Sequence, residues 1–314
     1  MAILITGGTG YIGRWLAQEL VAQGHEVVAF DRVAAVPGSR PEMPAEAEFI
    51  EGDVTDREST VAAAGKRSFS AIIHLAGIVT MGCERDPDLA LKVNLGGTHN
   101  VLEAARIHGI PRVVFASTIS VWGPGVPQPM TEQTPALPLT WYGQTKLMGE
   151  HLGLFYQRRE GLDFRAARLA AIVGPFRVAA SGSATMYTSQ ILERAAKGEP
   201  YAIDVDEGAA TPILYAKDAA KGLTVLATAE SVPRRIYILS TGRASATELV
   251  GMARKRFPDA QLEFRPDPVL APVGRISADW QLSIDAAAED LGWRPSFTLE
   301  TMADDLIASV RGER

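Results

Sequence analysis

Near the amino terminus an apolar run, Ala2 to Thr6, breaks into TGGTGYIG, and Tyr11 to Gln23 follows with Ile12, Trp15, Leu16 and Leu20 at helical spacing. Gly24 stops that helix, and His25 to Phe30 turns apolar again, which packs strand, helix and strand into about thirty residues. This βαβ unit constrains the chain more than any other feature. Gly7, Gly10 and Gly13 sit where the strand ends and the helix opens, so the backbone can turn tightly and come close to a pyrophosphate. Tyr11 and Ile12 begin the helix, whose free N–H groups and dipole favour an anion.

The alternation continues. Glu48 to Glu51, Ala71 to Leu75, Arg112 to Ser117 and Phe164 to Ala170 read as strands, while Pro87 to His108 and Tyr142 to Glu160 have the length and composition of helices. Parallel neighbours need crossovers, so strands separated by helices imply an α/β fold with a doubly wound parallel sheet, the Rossmann arrangement. After about Gly174 the rhythm weakens. Met186 to Lys197, Ala216 to Thr228 and Ala246 to Phe257 still look helical, and Ile236 to Ser240 and Gln261 to Arg265 extended. We therefore divide the chain into a dinucleotide-binding domain, 1–174, and a smaller carboxy-terminal α/β substrate lobe, 175–314, interleaved with it.

Charge and cysteine content narrow the function classes. Thirty-one Lys and Arg against thirty-seven Asp and Glu leave a formal charge of −6, which disfavours nucleic acid as a partner. The single cysteine, Cys83, cannot form an intramolecular disulfide or a thiol-rich metal site. The amino terminus has neither a membrane span nor a secretory signal, so a cytoplasmic location is expected, with no membrane partner.

Asp31 follows the second strand, where its carboxylate can accept hydrogen bonds from ribose hydroxyls and repel a 2′-phosphate, favouring NAD over NADP. Arg32 pulls the other way if its guanidinium meets that phosphate, and is otherwise a solvated arginine. Asp53 and Val54, after the third strand, can meet the adenine edge through a carboxylate and a backbone amide; equally, Asp53 can form an Asx turn that caps the helix starting near Arg57.

Tyr142 and Lys146 stand four residues apart in YGQTK, on one face of a helix, where a cation can favour the ionised phenol. Ser117 and Thr118 end a strand at the edge of the sheet where α/β folds place ligands, so a hydroxyl there can hold a substrate oxygen beside Tyr142.

These motifs resemble the extended short-chain dehydrogenase/reductase family, also called the NAD-dependent epimerase/dehydratase family. TGGTGYIG, GDVTD, HLAG at His74 to Gly77, VNLGGTHNVLEAA, FASTISVWG and YGQTK occur in the family's order, and the likeness continues through ILYAKDAA and LGWRP. The resemblance implies an NAD-dependent oxidoreductase in which Thr118 and Tyr142 are the catalytic hydroxyls. It also implies that Lys146 binds the nicotinamide ribose and assists the tyrosine, and that Asn94 organises a proton relay. Leu75, Ala76 and Gly77 match the segment that passes under the cofactor. The same likeness implies a homodimer built through the Pro87 to His108 and Tyr142 to Glu160 helices, and no metal.

Within the family, HLAGIVTMGCERDP through FASTISVWGP is most similar to the short-chain L-threonine dehydrogenase group, which makes Thr80 and Ser183 candidate substrate contacts. Arg177 can pair with a substrate carboxylate. The loop GSATMY lacks the acid expected for holding an amino group, and Ala170 and Ala171 stand where nucleotide-sugar epimerases usually carry an asparagine. The expected reaction is hydride transfer between a small polar secondary alcohol, a hydroxy acid or sugar acid, and NAD. The alternative is a nucleotide-sugar 4-epimerase.

Overall fold

The computed structural model describes every residue of the chain except 36–38, 178–182, 184, 269 and 314. Its first half alternates strand and helix: β1 (Ala2–Thr6), α1 (Tyr11–Ala22), β2 (Glu26–Asp31), β3 (Glu48–Glu51), α2 (Arg57–Ala64), β4 (Ala71–His74), α3 (Thr80–Arg85), α4 (Pro87–Ala90), α5 (Gly97–His108), β5 (Arg112–Thr118), α6 (Trp141–Glu160) and β6 (Asp163–Leu169). Shorter elements follow: β7 (Ala171–Val173), α7 (Tyr187–Lys197), β8 (Tyr201–Ile203), β9 (Ala210–Tyr215), α8 (Ala216–Thr228), β10 (Ile236–Leu239), β11 (Gly242–Ser245), α9 (Ala246–Arg256), β12 (Leu262–Phe264), α10 (Leu270–Arg275), α11 (Asp285–Leu291) and α12 (Leu299–Arg311).

Seven strands form one sheet in the order β10-β6-β5-β4-β1-β2-β3, and every neighbouring pair is parallel. Successive side chains on a strand face opposite sides, and both sides are covered. Ile3 and Ile5 of β1 enter a core with Leu16 and Leu20 of α1 and Leu223 of α8, and Ala71 and Ile73 of β4 join them. Leu4, Val28, Ile72 and Phe115 point the other way, onto Ala63 of α2 and Val101 of α5. Continuous apolar runs are what a strand buried on both faces requires. The expected doubly wound α/β fold is present.

The second half does not stand apart. It returns β10 to the main sheet, and Trp280 and Trp293 pack into the core beneath α1 and α8. A three-stranded sheet, β11-β9-β7, and a two-stranded one, β12-β8, surround a further core of Tyr187, Ile191, Tyr215, Leu249 and Leu306.

Two expectations change. Pro87 to His108 is not one continuous α-helix: Leu91–Gly96 forms a π turn between α4 and α5. Such insertions re-aim side chains, and this one carries the buried Asn94. In addition, α3, α10, α11, α12 and the short strands β7, β8, β9 and β11 are not among the elements expected from the sequence, although α12 carries a regular helical period in Leu299, Met302, Ala303, Leu306 and Ile307.

A buried ion pair locks the sheet to α6. Arg168 of β6 donates to Glu150 through Nε at 3.0 Å and Nη2 at 2.8 Å, and Ser117 Oγ donates to the same carboxylate at 2.5 Å. Both charged side chains are almost wholly enclosed. Removing one partner strands the other's charge, so Glu150→Ala should lower unfolding free energy by about 3–5 kcal/mol in denaturant titration. Glu150→Leu combined with Arg168→Met should recover most of that loss; a double variant as unstable as the single one would contradict this account.

Candidate active site

The chain leaves β1 in opposite directions, toward β2 and β3 on one side and β4, β5 and β6 on the other. A crevice opens at the carboxyl ends of the strands where the order reverses. A cavity of about 880 Å³ lies there. Gly7 has φ +71°, a left-handed conformation, and a Cβ on it would lie 2.6 Å from the backbone nitrogen of Ala76. No other residue type fits that turn without displacing β4's exit. Gly13 is equally confined, since a Cβ there would lie 2.4 Å from the Gly8 carbonyl oxygen.

The amino end of α1 has neither a capping side chain nor an acid in its first turn. Its free N–H groups face the cavity beside Gly10, Tyr11 and Ile12, which is the chemistry a pyrophosphate needs. Arg14 adds a largely buried guanidinium that donates to the Thr9 carbonyl at 2.5 Å. Tyr11 donates to the Pro175 carbonyl at 2.9 Å, and burial raises its phenol well above the ordinary range.

The adenosine-end candidates lie outside this cavity. Asp31 accepts hydrogen bonds from the Thr9 amide and hydroxyl, so it holds the glycine loop as well as ending β2. Arg32 and Asp53 pair at 3.5 Å on the surface. Asp53 forms the Asx turn, accepting from Thr55 N at 2.8 Å, but the cap of α2 is Asp56. Val54 is buried, and its carbonyl accepts from Asn100.

At the reactive end, Thr118 caps the turn after β5 by accepting from Ser120 N. Thr140 caps α6, accepting from Gly143 N at 3.1 Å, and Glu84 of α3 accepts from Trp141 N at 2.7 Å. These contacts hold Tyr142 in the first turn. Its phenol is hydrogen-bonded to Thr118, which lowers its pKa, but burial is the larger effect and pushes it up to about 12. Lys146, one turn on, donates to the Ala116 carbonyl at 2.9 Å and lies 4.7 Å from the centre of the Phe115 ring. Burial brings its ammonium down to about 8. The protein alone therefore does not depress the phenol, contrary to what the spacing predicts, because desolvation outweighs the hydrogen bond from Thr118 and Lys146 is not among the groups that act on it.

Asn94 sits behind this pair, outside the cavity wall. It accepts from Ile78 N at 2.7 Å and donates to Ile78 O and to Thr145 Oγ1, both at 3.0 Å. It thus anchors the segment after β4 that carries Leu75, Ala76 and Gly77. Leu75 and Gly77 line the cavity, and Ala76 packs against Gly7. Cys83 is buried against Asn94, and its thiol is pushed up to about 11 by burial.

Thr80, at the start of α3, and Arg177 and Ser183 also line the cavity. Arg177 is 9 % exposed and donates to the Ile172 carbonyl at 2.5 Å; burial brings it down to about 10. Ser183 pairs with Thr185 at 3.1 Å. Several wall residues carry no signal in the sequence: Ser277 Oγ donates to Thr211 Oγ1 at 2.9 Å, and Trp280 closes the same side.

The family model described as "NAD dependent epimerase/dehydratase family" matches residues 3–239. The chain belongs to the NAD dependent epimerase/dehydratase family. It is similar to the mitochondrial L-threonine 3-dehydrogenase of Bos taurus, 29% identical over 311 residues, 97% of this chain and 81% of that protein. A GalE-like L-threonine dehydrogenase from Cupriavidus necator, solved in its holo form, superposes with a TM-score of 0.89 at 26% identity, over 99% of this chain and all of the other. The Thermus thermophilus UDP-glucose 4-epimerase in complex with NAD superposes with a TM-score of 0.82 at 26% identity, each chain covered in full. As an NAD-dependent dehydrogenase or epimerase of this family, the chain has a glycine loop that fits the cofactor's pyrophosphate. Among the described residues no helix is long and apolar enough to cross a membrane, and no group of three His, Cys, Asp or Glu is placed to hold a metal.

The depressed lysine predicts a pH dependence of stability. Below about pH 8 Lys146 is protonated in both states, and the folded chain bears the full penalty of a buried charge. Between about 8 and 10.5 the unfolded chain keeps a proton that the folded chain has released, so stability rises with pH. The rise attributable to Lys146 should approach roughly 3 kcal/mol. In denaturant titrations across that window, Lys146→Met should lack this component; an unchanged slope would refute the assignment.

Proposed function

We propose that the chain is an NAD-dependent dehydrogenase of a small polar secondary alcohol, a hydroxy acid or sugar acid, related in type to the short-chain L-threonine dehydrogenases. The observation that carries this reading is the cavity that joins the amino end of α1 to Thr118, Tyr142, Lys146 and Arg177. Gly7, Gly10, Gly13 and the α1 amides hold the pyrophosphate, Lys146 the nicotinamide ribose, and Asp31 the adenosine ribose. Bound NAD supplies the acceptor for the hydride leaving the carbinol carbon, so that the alcohol becomes a carbonyl as NADH forms and a proton is released. Tyr142, as phenolate, takes the hydroxyl proton at its phenolic oxygen and becomes neutral, Thr118 orients the alcohol, and the Lys146 ammonium stabilises the phenolate until it is protonated. Asn94 keeps the Leu75–Gly77 backbone and Thr145 in register beneath them.

The alternative, a nucleotide-sugar 4-epimerase, has the Thermus epimerase as its support. Against it, Ala170 and Ala171 present no amide side chain to the cavity they line. Net NADH accumulation at 340 nm during turnover with aldonates, uronates or β-hydroxy acids is expected. Epimerisation without net reduction would overturn the dehydrogenase reading. Tyr142→Phe should lower kcat by roughly 100-fold or more while NAD affinity persists. Undiminished turnover in that variant would remove Tyr142 from the chemistry.

We also propose a cytoplasmic homodimer. Met148 and Phe155, seven residues apart on α6, are 38% and 43% exposed, and Leu89 of α4 and Ile107 of α5 add apolar surface. Apolar side chains exposed on helices favour packing between subunits when they gather into one face. Sedimentation equilibrium should give twice the chain mass, and Met148→Glu with Phe155→Glu should give a monomer; wild-type protein that stays monomeric on concentration would exclude the dimer.

A further inference from the structure

The ionisable groups around the cavity are not balanced. Arg14, Arg85, Lys146 and Arg177 line it among the described residues, and the one acid is Asp86. Asp86 is exposed at the rim and committed to capping α4, where it accepts from Leu89 N at 3.0 Å. Arg14 faces the glycine loop, and Lys146 lies under the reacting hydroxyls. Arg177 is the remaining cation, enclosed near Tyr11 with a backbone carbonyl as its hydrogen-bond partner, and it also borders a second pocket that holds Glu193. The Tyr11 phenol beside it is kept neutral by burial. The uncharged polar side chains of the wall are mostly hydroxyls, Thr80, Thr118, Thr185, Thr211 and Ser277 among them, set between apolar ones such as Ile78, Val79 and Trp280.

We propose, resting on the dehydrogenase reading above, that this site selects hydroxy acids without an ammonium group, their carboxylate seated on Arg177, and discriminates against amino acids. A guanidinium offers a carboxylate two parallel N–H donors. An ammonium on the neighbouring carbon meets buried cations and no anion, and specificity then comes from a repulsive element as well as an attractive one. Hydroxyls alone bind either group and decide nothing.

The matched pair that isolates this effect is 3-hydroxybutyrate, both enantiomers, against L-threonine and L-allo-threonine, which share a carbon skeleton and differ by the amine. Gluconate against 2-amino-2-deoxygluconate does the same for a longer chain. In the pair that is turned over, kcat/KM at pH 7 should favour the amine-free member by about tenfold or more. Equal or better oxidation of the amino compound overturns the proposal and leaves the dehydrogenase reading standing. Absence of NAD reduction with every alcohol, together with epimerisation of a nucleotide sugar, overturns both.

Arg177→Gln should raise KM for the preferred acid by about tenfold while the NAD dissociation constant, read by fluorescence titration, stays unchanged. The cofactor's pyrophosphate carries the same anionic chemistry, so weakened NAD binding with an unaltered substrate KM assigns Arg177 to the cofactor and overturns the proposal. Arg177→Lys, which keeps the charge but not the paired donors, should lie between wild type and Gln and provides the comparison if Gln fails to fold.

Discussion

The close approach of two backbones at the switch point governs the rest of the molecule. Gly7 leaves β1 in a left-handed turn against Ala76, the second residue beyond β4, with no room for a side chain between them. That contact lets α1 begin directly over the crevice and brings the Leu75–Gly77 segment beneath it. Everything chemical is then placed relative to this pair of exits. The π turn puts Asn94 under Ile78, and α6 is drawn against β5 by Lys146 at one end of its buried face and Glu150 one turn further along.

A parallel sheet with covered faces makes such placement rigid. Ile3 and Ile5 point to one core and Leu4 to the other, and the same alternation runs through β4 and β5. A slip of one residue would exchange the two cores and bring polar strand ends inward. The register of Thr118 against Leu169 is therefore set by the apolar pattern far below the site. The hydroxyl that faces Tyr142 inherits its position from the packing of valines and phenylalanines.

The sequence made the first half legible because each element there is long, apolar on a regular period and ended by glycine or a polar turn. It also exposed the residues whose role depends on local spacing: the glycine loop, Tyr142 with Lys146, and Thr118 at a strand end. What it concealed was assembled from afar. Thr211 and Ser277 are sixty-six positions apart and meet only because β9 and the segment after α10 cross the same mouth. The π turn hides in an unbroken helical pattern, since one extra residue per turn leaves composition unchanged. Asp31 was readable as a ribose partner, but its hold on Thr9 required the fold.

The site's electrostatics show why binding and chemistry have to be coupled in such a cavity. Excluding water pushes the Tyr142 phenol up and the Lys146 ammonium down, so burial moves both away from the charged forms that assist proton transfer. Geometry alone cannot reverse that, because the nearest partner of Lys146 is a neutral carbonyl. A bound anion does reverse it for the lysine: negative charge in the cavity favours the protonated ammonium, and a protonated ammonium in turn favours phenolate. An alcohol that carries its own carboxylate would therefore prepare the proton acceptor by binding, whereas one that carries an ammonium would work against it.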